Sequence, residues 1–324
     1  MKKLSSNELA QRVLRCDRYA GARLISLLED GNEDARHTLK LLYPHTGKSM
    51  IVGITGSTGT GKSTLIDHLI HRFRKSGKKV GVVLVDPSSP FSGGAFLGDR
   101  LRIQRHTCDD GVFIRSMASR GHLGGLVRTT AETIRIMEAM GAEAILLETV
   151  GTGQDEVEVI QAVQTCILVI SPNMGDEIQA LKAGLMEIGH IYVINKSDLE
   201  GSTQALREIE AVLSMKDHTD DAWKPKVVST VASEGKGIEE LVSAINEHHA
   251  YMNQSERIEG IRFQRAEYEL GLVFKNELER LVLQELKRKG KKKKFIREIC
   301  DGQTDPYTVV DEVLKNFLKK ETPE

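Results

Sequence analysis

A glycine-rich segment at residues 56–63 has the composition and spacing of a phosphate-binding loop. It reads Gly-Ser-Thr-Gly-Thr-Gly-Lys-Ser and directly follows the apolar run at residues 51–55. Glycines let successive backbone N–H groups face one anion, and the positive end of a following helix strengthens that field. The alternative is a glycine-rich turn before a helix, but the complete motif after a strand favours a nucleotide site. The predicted nucleotide contacts are Gly56, Ser57, Thr58, Gly59, Thr60, Gly61, Lys62, Ser63 and Thr64.

Two side chains of this segment are predicted to act on the phosphates. The Lys62 ammonium would reach the β- and γ-phosphates, and the Ser63 hydroxyl would ligate Mg2+. These groups support phosphoryl transfer to water, because a cation and a metal ion neutralise charge on the transferred group. Lys62 is therefore a predicted catalytic residue, and Mg2+ is a predicted cofactor.

A second motif, Asn-Lys-Ser-Asp at residues 195–198, follows the apolar run at residues 191–194. It matches N-K-x-D, the guanine-reading element of P-loop GTPases. The Asp198 carboxylate can accept from N1–H and the exocyclic amine of guanine, whereas adenine would leave it unpaired. Asn195 would hold O6/N7 of the base or brace the loop, and the Lys196 stem would cover the ring. The alternative is a polar loop between a strand and a helix; the two motifs together predict GTP or GDP as the ligand.

A third base-binding element is expected just before the sequence Gly-Lys-Gly-Ile at residues 235–238. GTPases often carry Ser-Ala at this place, and the best alignment puts Val231 and Ala232 there. The serine is missing, but the Ala232 backbone N–H is still predicted to donate to the base O6.

Two carboxylates are predicted at the carboxyl ends of strands, the edge at which open α/β sheets bind ligands. Asp86 follows the apolar run at residues 80–85, and Glu148 follows the run at residues 144–147. Glu148 and Gly151 stand where ordinary GTPases have Asp-x-x-Gly, so Glu148 would hold Mg2+ and the Gly151 N–H would touch the γ-phosphate. The alternatives are a helix cap or Asx turn for Asp86 and a solvated strand end for Glu148.

Two further residues are candidates for the same site. Gln154 stands near the place of the water-positioning glutamine of small GTPases, although its offset from Gly151 is not the usual one. Asp99 is a possible metal or switch carboxylate, and its spacing alone is that of a surface charge. The predicted catalytic set is Lys62, Glu148, Gln154 and Asp86, and the predicted metal set is Ser63, Asp86, Asp99 and Glu148.

These residues require an architecture that places several loops at one edge. Between residues 47 and 253, short apolar runs alternate with amphipathic helical patterns, which predicts an α/β fold with a mostly parallel sheet flanked by helices. Residues 1–46 read as a helical extension. Residues 254–324 contain no strand pattern and read as a helical arm, with a lysine-rich linker at residues 289–294.

Composition excludes several classes of function. The chain has 324 residues and a formal net charge of -1, so it lacks the global basic field of a nucleic-acid-binding protein. Four cysteines are scattered without a CxxC pair, which indicates reduced thiols. No apolar stretch is long enough for a membrane span, and no apolar core follows the basic start, so a cytoplasmic protein is expected.

Taken together, the motifs resemble those of the MeaB/ArgK-type GTPases, which belong to the SIMIBI class of P-loop proteins. The similarity covers nearly the whole chain, and Thr58 and Thr60 stand where the family often has Pro and Val. The stretches that carry it are residues 56–64, 85–89, 93–100, 121–129, 148–154, 175–184 and 195–198.

The resemblance implies a function and a set of switches. Such proteins are homodimeric G-protein chaperones of adenosylcobalamin-dependent acyl-CoA mutases; they gate cofactor loading and protect or reactivate the mutase in a GTP-dependent way. By the same resemblance Asp86 and Asp99 belong to switch I, Glu148 to switch II, and Asp176 and Lys182 to a third switch. It also favours a dimerisation role for the C-terminal arm, whose apolar stripe would otherwise pack onto the parent domain.

Other interpretations of the sequence stay open at this stage. A stand-alone P-loop kinase or transport NTPase would use the same phosphate loop with ATP, which Asp198 argues against. A nickel-type metallochaperone GTPase usually has His-rich tracts or paired cysteines, whereas Cys108 and Cys166 stand alone here. The basic run at residues 287–294 is either a solvated turn or a surface for an acidic partner or CoA phosphates.

Overall fold

The computed structural model describes residues 4–86, 103–118, 123–149, 163–172, 188–215, 222–288 and 291–321. Within them, seven strands form one sheet in the order β3-β2-β4-β1-β5-β6-β7, and every neighbouring pair is parallel. This confirms the predicted α/β class. The strands are β1 (Met50–Thr55), β2 (Val80–Asp86), β3 (Val112–Ala118), β4 (Ala144–Thr149), β5 (Thr165–Ile170), β6 (Ile191–Asn195) and β7 (Lys226–Thr230).

Helices flank this sheet and extend the chain at both ends. Three precede β1, four lie between β1 and the end of the sheet domain, and three more complete the chain among the described residues. They are α1 (Ser6–Leu14), α2 (Arg18–Glu29), α3 (Glu33–Leu42), α4 (Lys62–Lys75), α5 (Leu123–Ala139), α6 (Ser202–Ser214), α7 (Ile238–Met252), α8 (Ser255–Arg288), α9 (Lys291–Cys300) and α10 (Pro306–Glu321).

The main core lies between one face of the sheet and the helices α4 and α7. β1, β4, β5 and β6 are buried along their whole length, as expected of parallel strands covered on both faces. Helix α4 packs the side chains Leu65, Ile66, Leu69, Ile70 and Phe73 into this core, which also takes in Ile103. The core therefore fixes the direction in which the first turn of α4 approaches the end of β1.

The edge strand β3 is longer than the sequence indicates. Its apolar pattern predicts a strand at residues 112–114, but the structure continues it to Ala118, paired with β2 throughout. Arg115 and Ser116 interrupt the apolar pattern, yet an edge strand tolerates polar side chains because its surroundings are less uniformly apolar. Arg115 uses its position to donate to Ser26 and Glu29 of α2.

The N-terminal helices form a second apolar cluster with α5. Leu24, Ile25 and Leu28 of α2 contact Ile136 and neighbouring side chains of α5. Helix α1 begins with a capping box in which Ser5 and Glu8 satisfy each other's backbone N–H groups. The N-terminal extension therefore covers the outer face of α5 as an integral layer of this unit.

Contacts divide the chain into two compact units, residues 1–263 and 264–324. Within the second unit, the structure corrects the assignment of residues 289–294 to a linker, because helix α9 begins at Lys291. Lysine is a good helix former. Phe295, which is 7% exposed, adds a buried apolar side chain to this lysine-rich helix. Among the described residues, no helix is both long and apolar enough to cross a membrane.

Two neighbouring histidines lie at the amino ends of β5 and β6. His248 is fully buried, its Nδ1 is 2.8 Å from Thr165 Oγ1, and its ring centroid is 4.4 Å from that of His190. His190 Nδ1 accepts the Cys166 N–H at 3.0 Å. Burial lowers the pKa of His190 to about 4 and that of His248 to about 3, so both rings are neutral at pH 7.

The two histidines are expected to make the folded state acid-sensitive. In the unfolded chain both have a pKa near 6.5, so their stabilising effect is complete above that pH and is lost as pH falls toward about 4 for His190 and about 3 for His248. Each contributes a slope of at most about 1.4 kcal/mol per pH unit, because only the unfolded state takes up the proton. Urea unfolding measured from pH 7.5 to 5 checks this.

The matched variants are His248→Gln and His45→Gln. His45 is an exposed residue, so its replacement should leave the pH slope unchanged. His248→Gln keeps a polar group beside Thr165 but removes the proton site, so its stability should depend less on pH than that of the wild type. Equal slopes for His248→Gln and the wild type would contradict the assignment.

Candidate functional site

The phosphate loop joins the end of β1 to the start of α4, as the sequence predicts. Gly56, Gly59 and Gly61 have φ values of 139°, 83° and 94°, which L side chains rarely adopt. At Gly56 a Cβ would lie 2.2 Å from the Val169 carbonyl oxygen of β5. No side chain caps the first turn of α4, because Gly61 occupies the N-cap. This leaves the positive end of the helix facing the loop, as an anion site requires.

The Lys62 side chain lies inside the loop. It is 6% exposed, and its Nζ donates to the Gly56 carbonyl oxygen at 2.5 Å and to the Ser57 carbonyl oxygen at 3.0 Å. These contacts hold the ammonium against the backbone of the loop. Its action on the phosphates stays a prediction.

Ser63 and Glu148 meet beside the loop. The Ser63 hydroxyl donates to Glu148 Oε1 at 2.8 Å, and the two residues are 4% and 3% exposed. β4 lies next to β1 in the sheet, which brings a residue 85 positions away against the first turn of α4. Mg2+ prefers oxygen ligands and commonly takes one or two carboxylates together with substrate phosphates and water, so this pair fits a magnesium site.

Asp86 is the last residue of β2, the strand beside β4. Its backbone pairs with Ala118 of β3, and the preceding residues Leu84 and Val85 pair with Glu148 and Thr149. The backbone of Asp86 is therefore at the same sheet edge as Glu148, one strand further out. Its side chain lies outside the described atoms.

Asn195 connects the phosphate loop with the base-reading loops. Its Nδ2 donates to the Thr60 carbonyl oxygen at 2.7 Å, while its Oδ1 accepts from Thr230 Oγ1 and from the Ala232 N–H, each at 3.0 Å. Asn195 is 2% exposed, and a Cβ on Gly61 would lie 2.3 Å from its Nδ2. Of the two roles that the sequence left open for Asn195, the structure shows the bracing one.

The remainder of the N-K-x-D motif turns sharply out of β6. Lys196 has a φ of 59°, unusual for a residue other than glycine, and the Ser197 N–H donates to the Thr230 carbonyl oxygen at 3.0 Å. Asp198 follows on the exposed side of this turn. Its exposed carboxylate remains the predicted partner of a guanine base.

The third base element is a tight loop after β7. Val231 and Lys236 exchange backbone hydrogen bonds of 3.1 and 3.3 Å, and Gly237 has a φ of 75° with no space for a Cβ beside the Ser229 carbonyl oxygen. The Ala232 N–H, which the sequence assigned to the base O6, donates to Asn195 Oδ1 in this structure. A hydrogen-bonded Glu234 raises the pKa of Lys236, and the nearby charge of Asp198 adds to the effect.

Five predicted site residues lie outside the described part of the chain. They are Asp99, Gly151, Gln154, Asp176 and Lys182. In turn, sequence reasoning missed Thr230, whose hydroxyl fixes the Asn195 amide. The residue ends β7 directly before Val231, and its role becomes visible only through the pairing of Asn195 with Thr230 across β6 and β7.

Removing the Asn195 amide is expected to uncouple the loops. Asn195→Ala would leave the Thr60 carbonyl, the Thr230 hydroxyl and the Ala232 N–H without this partner, at a cost of about 2–4 kcal/mol in unfolding free energy. Because the phosphate loop and the base loops would no longer be held together, affinity for GDP should fall about tenfold or more. Chemical denaturation and nucleotide titration measure the two effects.

Thr230→Val is the matched control, since it removes one hydrogen bond from the same network and keeps the side-chain volume close. It should cost only about 1 kcal/mol and change nucleotide affinity little. Asn195→Ala and Thr230→Val with equal effects on GDP affinity would count against the connecting role of Asn195.

Among solved structures, the crystal structure of the LAO/AO transport system kinase has a fold similar to that of this chain. The TM-score is 0.70 at 24% sequence identity, with 98% of this chain and 99% of the other covered. A likeness at this level of identity concerns the fold, and it agrees with the P-loop architecture described above.

Sequence comparison identifies the family. Residues 21–287 match the family described as Methylmalonyl Co-A mutase-associated GTPase MeaB. The chain is 45% identical over 314 residues to a Pyrococcus abyssi protein named as a GTPase, covering 96% of this chain and 97% of the relative. It is 34% identical over 268 residues to GTPase ArgK of Escherichia coli, covering 80% of each. It is 34% identical over 277 residues to the mouse mitochondrial methylmalonic aciduria type A homolog, covering 83% of this chain and 66% of the relative.

The chain matches relatives named as GTPases over most of its length. It also contains the phosphate loop around Lys62, the Ser63–Glu148 pair and the base motif braced by Asn195. The chain belongs to the MeaB family of P-loop GTPases, which bind guanine nucleotides and hydrolyse GTP.

Proposed function

We propose that the protein is a Mg2+-dependent GTPase chaperone of an adenosylcobalamin-dependent acyl-CoA mutase, either methylmalonyl-CoA mutase or a close relative. It would gate loading of the cofactor and protect or reactivate the mutase according to the bound nucleotide. The observation that supports the partner is the match of residues 21–287 to a family described as associated with methylmalonyl-CoA mutase. The name of the mouse relative, a methylmalonic aciduria type A homolog, agrees with this assignment.

Hydrolysis would depend on positioning of the reacting groups and on neutralisation of the charge on the phosphate oxygens. Lys62, held at the centre of the loop, would contact the β- and γ-phosphate oxygens, and the loop N–H groups would share the remaining charge. Ser63 and Glu148 would hold Mg2+, directly or through water. When bound, this ion supplies Lewis-acid polarisation of the phosphate oxygens.

Further residues of the site are proposed from the sequence. Asp86 and Asp99 would complete the metal environment, and the Gly151 N–H would contact the γ-phosphate. Gln154 would orient the attacking water. Asp176 and Lys182 would form a third switch whose ion pairs change with nucleotide and partner.

A homodimer is part of the proposal, with residues 1–46, 47–253 and 254–324 as extension, GTPase domain and dimerisation arm. Helix α8 supports it, because Leu270 and Phe274 are 70% and 68% exposed and lie four residues apart on one side of the helix. Val273, on the same side, is also exposed. Apolar side chains in such a row are typical of a helix that pairs with another.

The role of Asp198 in base selection gives a sharp prediction. Asp198→Asn should weaken GTP binding about a hundredfold, because the carboxylate that accepts from N1–H and the 2-amino group is lost. Binding of xanthosine triphosphate should improve, since its base carries an oxygen in place of the amine and the new amide can donate to it. Competition titrations with GTP, ATP and xanthosine triphosphate measure the change.

The control is Glu200→Gln, which neutralises an exposed carboxylate two residues further along the same loop. It should keep the selectivity of the wild type. Unchanged preference for GTP in Asp198→Asn would remove the base-reading assignment.

Steady-state hydrolysis tests the function as a whole. GTP and ATP turnover would be measured with and without a cobalamin-dependent acyl-CoA mutase from the same source. We expect slow, GTP-selective hydrolysis that increases when the mutase is added, because partners of GTPases commonly stabilise the charge of the transition state. Lys62→Ala, which removes the ammonium from the loop, should lower turnover at least about a hundredfold in both conditions.

Two results would count against the proposal. Phosphoryl transfer from ATP to an added small molecule would favour a stand-alone P-loop kinase. GTP turnover that no mutase changes would keep the GTPase and reject the mutase as its client.

A further inference from the structure

Thr60 lies between two glycines of the phosphate loop and is held from two sides. It is 1% exposed, and its neighbours Gly59 and Gly61 have φ values of 83° and 94°. Its Oγ1 donates to the Ser57 carbonyl oxygen at 2.9 Å, while its own carbonyl oxygen accepts from Asn195 Nδ2 at 2.7 Å. Thr60 is therefore a fixed point between two residues whose backbone is intrinsically permissive.

The hydroxyl closes a short turn that the backbone closes only weakly. In the turn from Ser57 to Thr60, the amide nitrogen of Thr60 is 3.4 Å from the Ser57 carbonyl oxygen, which is long for a hydrogen bond. The hydroxyl makes the shorter contact with the same oxygen. Threonine can donate in this way to a carbonyl three residues earlier, whereas an apolar side chain cannot. The side chain of Thr60 thus stabilises this turn more than its amide does.

The oxygen that the hydroxyl holds is also an anchor of Lys62. The Ser57 carbonyl oxygen accepts from Lys62 Nζ at 3.0 Å, and the Gly56 carbonyl oxygen accepts from the same ammonium at 2.5 Å. A carbonyl oxygen has two lone pairs, so the Thr60 hydroxyl and the Lys62 ammonium can engage both of them. The Thr60 hydroxyl therefore fixes the direction of one of two carbonyls that bind the ammonium.

We propose that Thr60 is a positioning residue for Lys62, because its hydroxyl holds the Ser57 carbonyl in the place from which that carbonyl orients the ammonium. Thr60 acts through Ser57 and Lys62, and this role requires no contact between its side chain and the nucleotide. The inference rests on the proposed hydrolysis, in which Lys62 contacts the β- and γ-phosphates. Loss of the hydroxyl should weaken that contact, because a misplaced charged group stabilises the transition state less.

A second threonine provides a matched control outside the site. Thr46 Oγ1 donates to the Tyr43 carbonyl oxygen at 2.8 Å, and the Thr46 amide nitrogen is 3.2 Å from the same oxygen. The hydroxyl bond of Thr46 therefore has the same spacing of three residues and nearly the same length as that of Thr60. Thr46 precedes β1, whereas the phosphate loop follows it, so the two turns lie at opposite ends of this strand.

The experiment compares Thr60→Val, Thr60→Ala, Thr60→Ser and Thr46→Val in the full chain. Affinity for a non-hydrolysable GTP analogue and the single-turnover rate of GTP hydrolysis are measured with Mg2+ present. We expect Thr60→Val and Thr60→Ala to lower each of them about fivefold to tenfold. Thr60→Ser keeps the hydroxyl and should stay within about twofold of the wild type, and Thr46→Val should match the wild type. Thr60→Ala keeps the test decisive if Thr60→Val does not fold.

A double-mutant cycle with Lys62→Ala separates positioning from a general loss of loop structure. If Thr60 acts through the ammonium, Thr60→Val should lower affinity for the analogue less than about twofold in the Lys62→Ala background. The full loss in that background would mean that the hydroxyl supports the loop independently of Lys62, and it would overturn the proposal. A loss in Thr60→Ser as large as that in Thr60→Val would overturn it as well.

Failure of the proposed function gives a different result. Wild-type hydrolysis by Lys62→Ala would reject the proposed role of Lys62 and the inference with it. Impaired hydrolysis by Lys62→Ala, together with wild-type affinity and rate in Thr60→Val and Thr60→Ala, would reject only the positioning role of Thr60.

Discussion

The arrangement of the nucleotide site depends on one buried amide. Asn195 ends β6, and through its two side-chain atoms it binds the phosphate loop on one side and the end of β7 with its following loop on the other. The phosphate loop, the end of β6 and the end of β7 with its following loop thereby acquire a fixed spacing. A GTPase needs such a spacing, because one nucleotide must reach both the phosphate loop and the loop after β6, where Asp198 is the proposed base contact. Gly61 is required at its position partly because a side chain there would collide with this amide.

Sheet order explains why the proposed catalytic and metal-binding groups meet. β1 lies between β4 and β5, so the phosphate loop emerges beside Glu148 on one side and leads toward β6 on the other. The carboxyl ends of all these parallel strands meet at one edge, where Ser63 and Glu148 form a buried contact. The histidine pair lies at the amino ends, a strand length of roughly 16 Å away. The expected acid sensitivity of folding and the proposed nucleotide chemistry thus lie at opposite edges of the same sheet.

Helix α4 is held by contacts at both of its ends. Its first turn carries Lys62 and Ser63, and Asp67 follows one turn later and binds the side chains of residues 105–106. The Arg74–Asp109 pair secures the far end to the chain before β3.

The sequence by itself determined the class of the protein and predicted the chemistry of its site. Roles for Lys62, Ser63, Asn195 and Asp198 could be predicted because their motifs are short, contiguous and follow recognisable buried strands. The α/β class could also be predicted from the sequence, since parallel strands covered on both faces are apolar along their length. Local sequence was less informative where tertiary contacts compensate for polar residues. The end of β3 and the lysine-rich start of α9 were missed for this reason, because pairing with β2 and burial of Phe295 stabilise them.

Only the tertiary structure decided which distant residues act together. Thr230 pairs with Asn195 across β6 and β7, Ala232 follows in the next loop, and both bind the Asn195 amide oxygen in a way that no spacing in the sequence reveals. Asp67 gives no motif signal at all, yet it holds two residues that are 38 and 39 positions away. A sequence motif indicates how one continuous stretch of chain binds a ligand. Hydrogen bonds between separate elements depend on register and packing, which are properties of the folded chain as a whole.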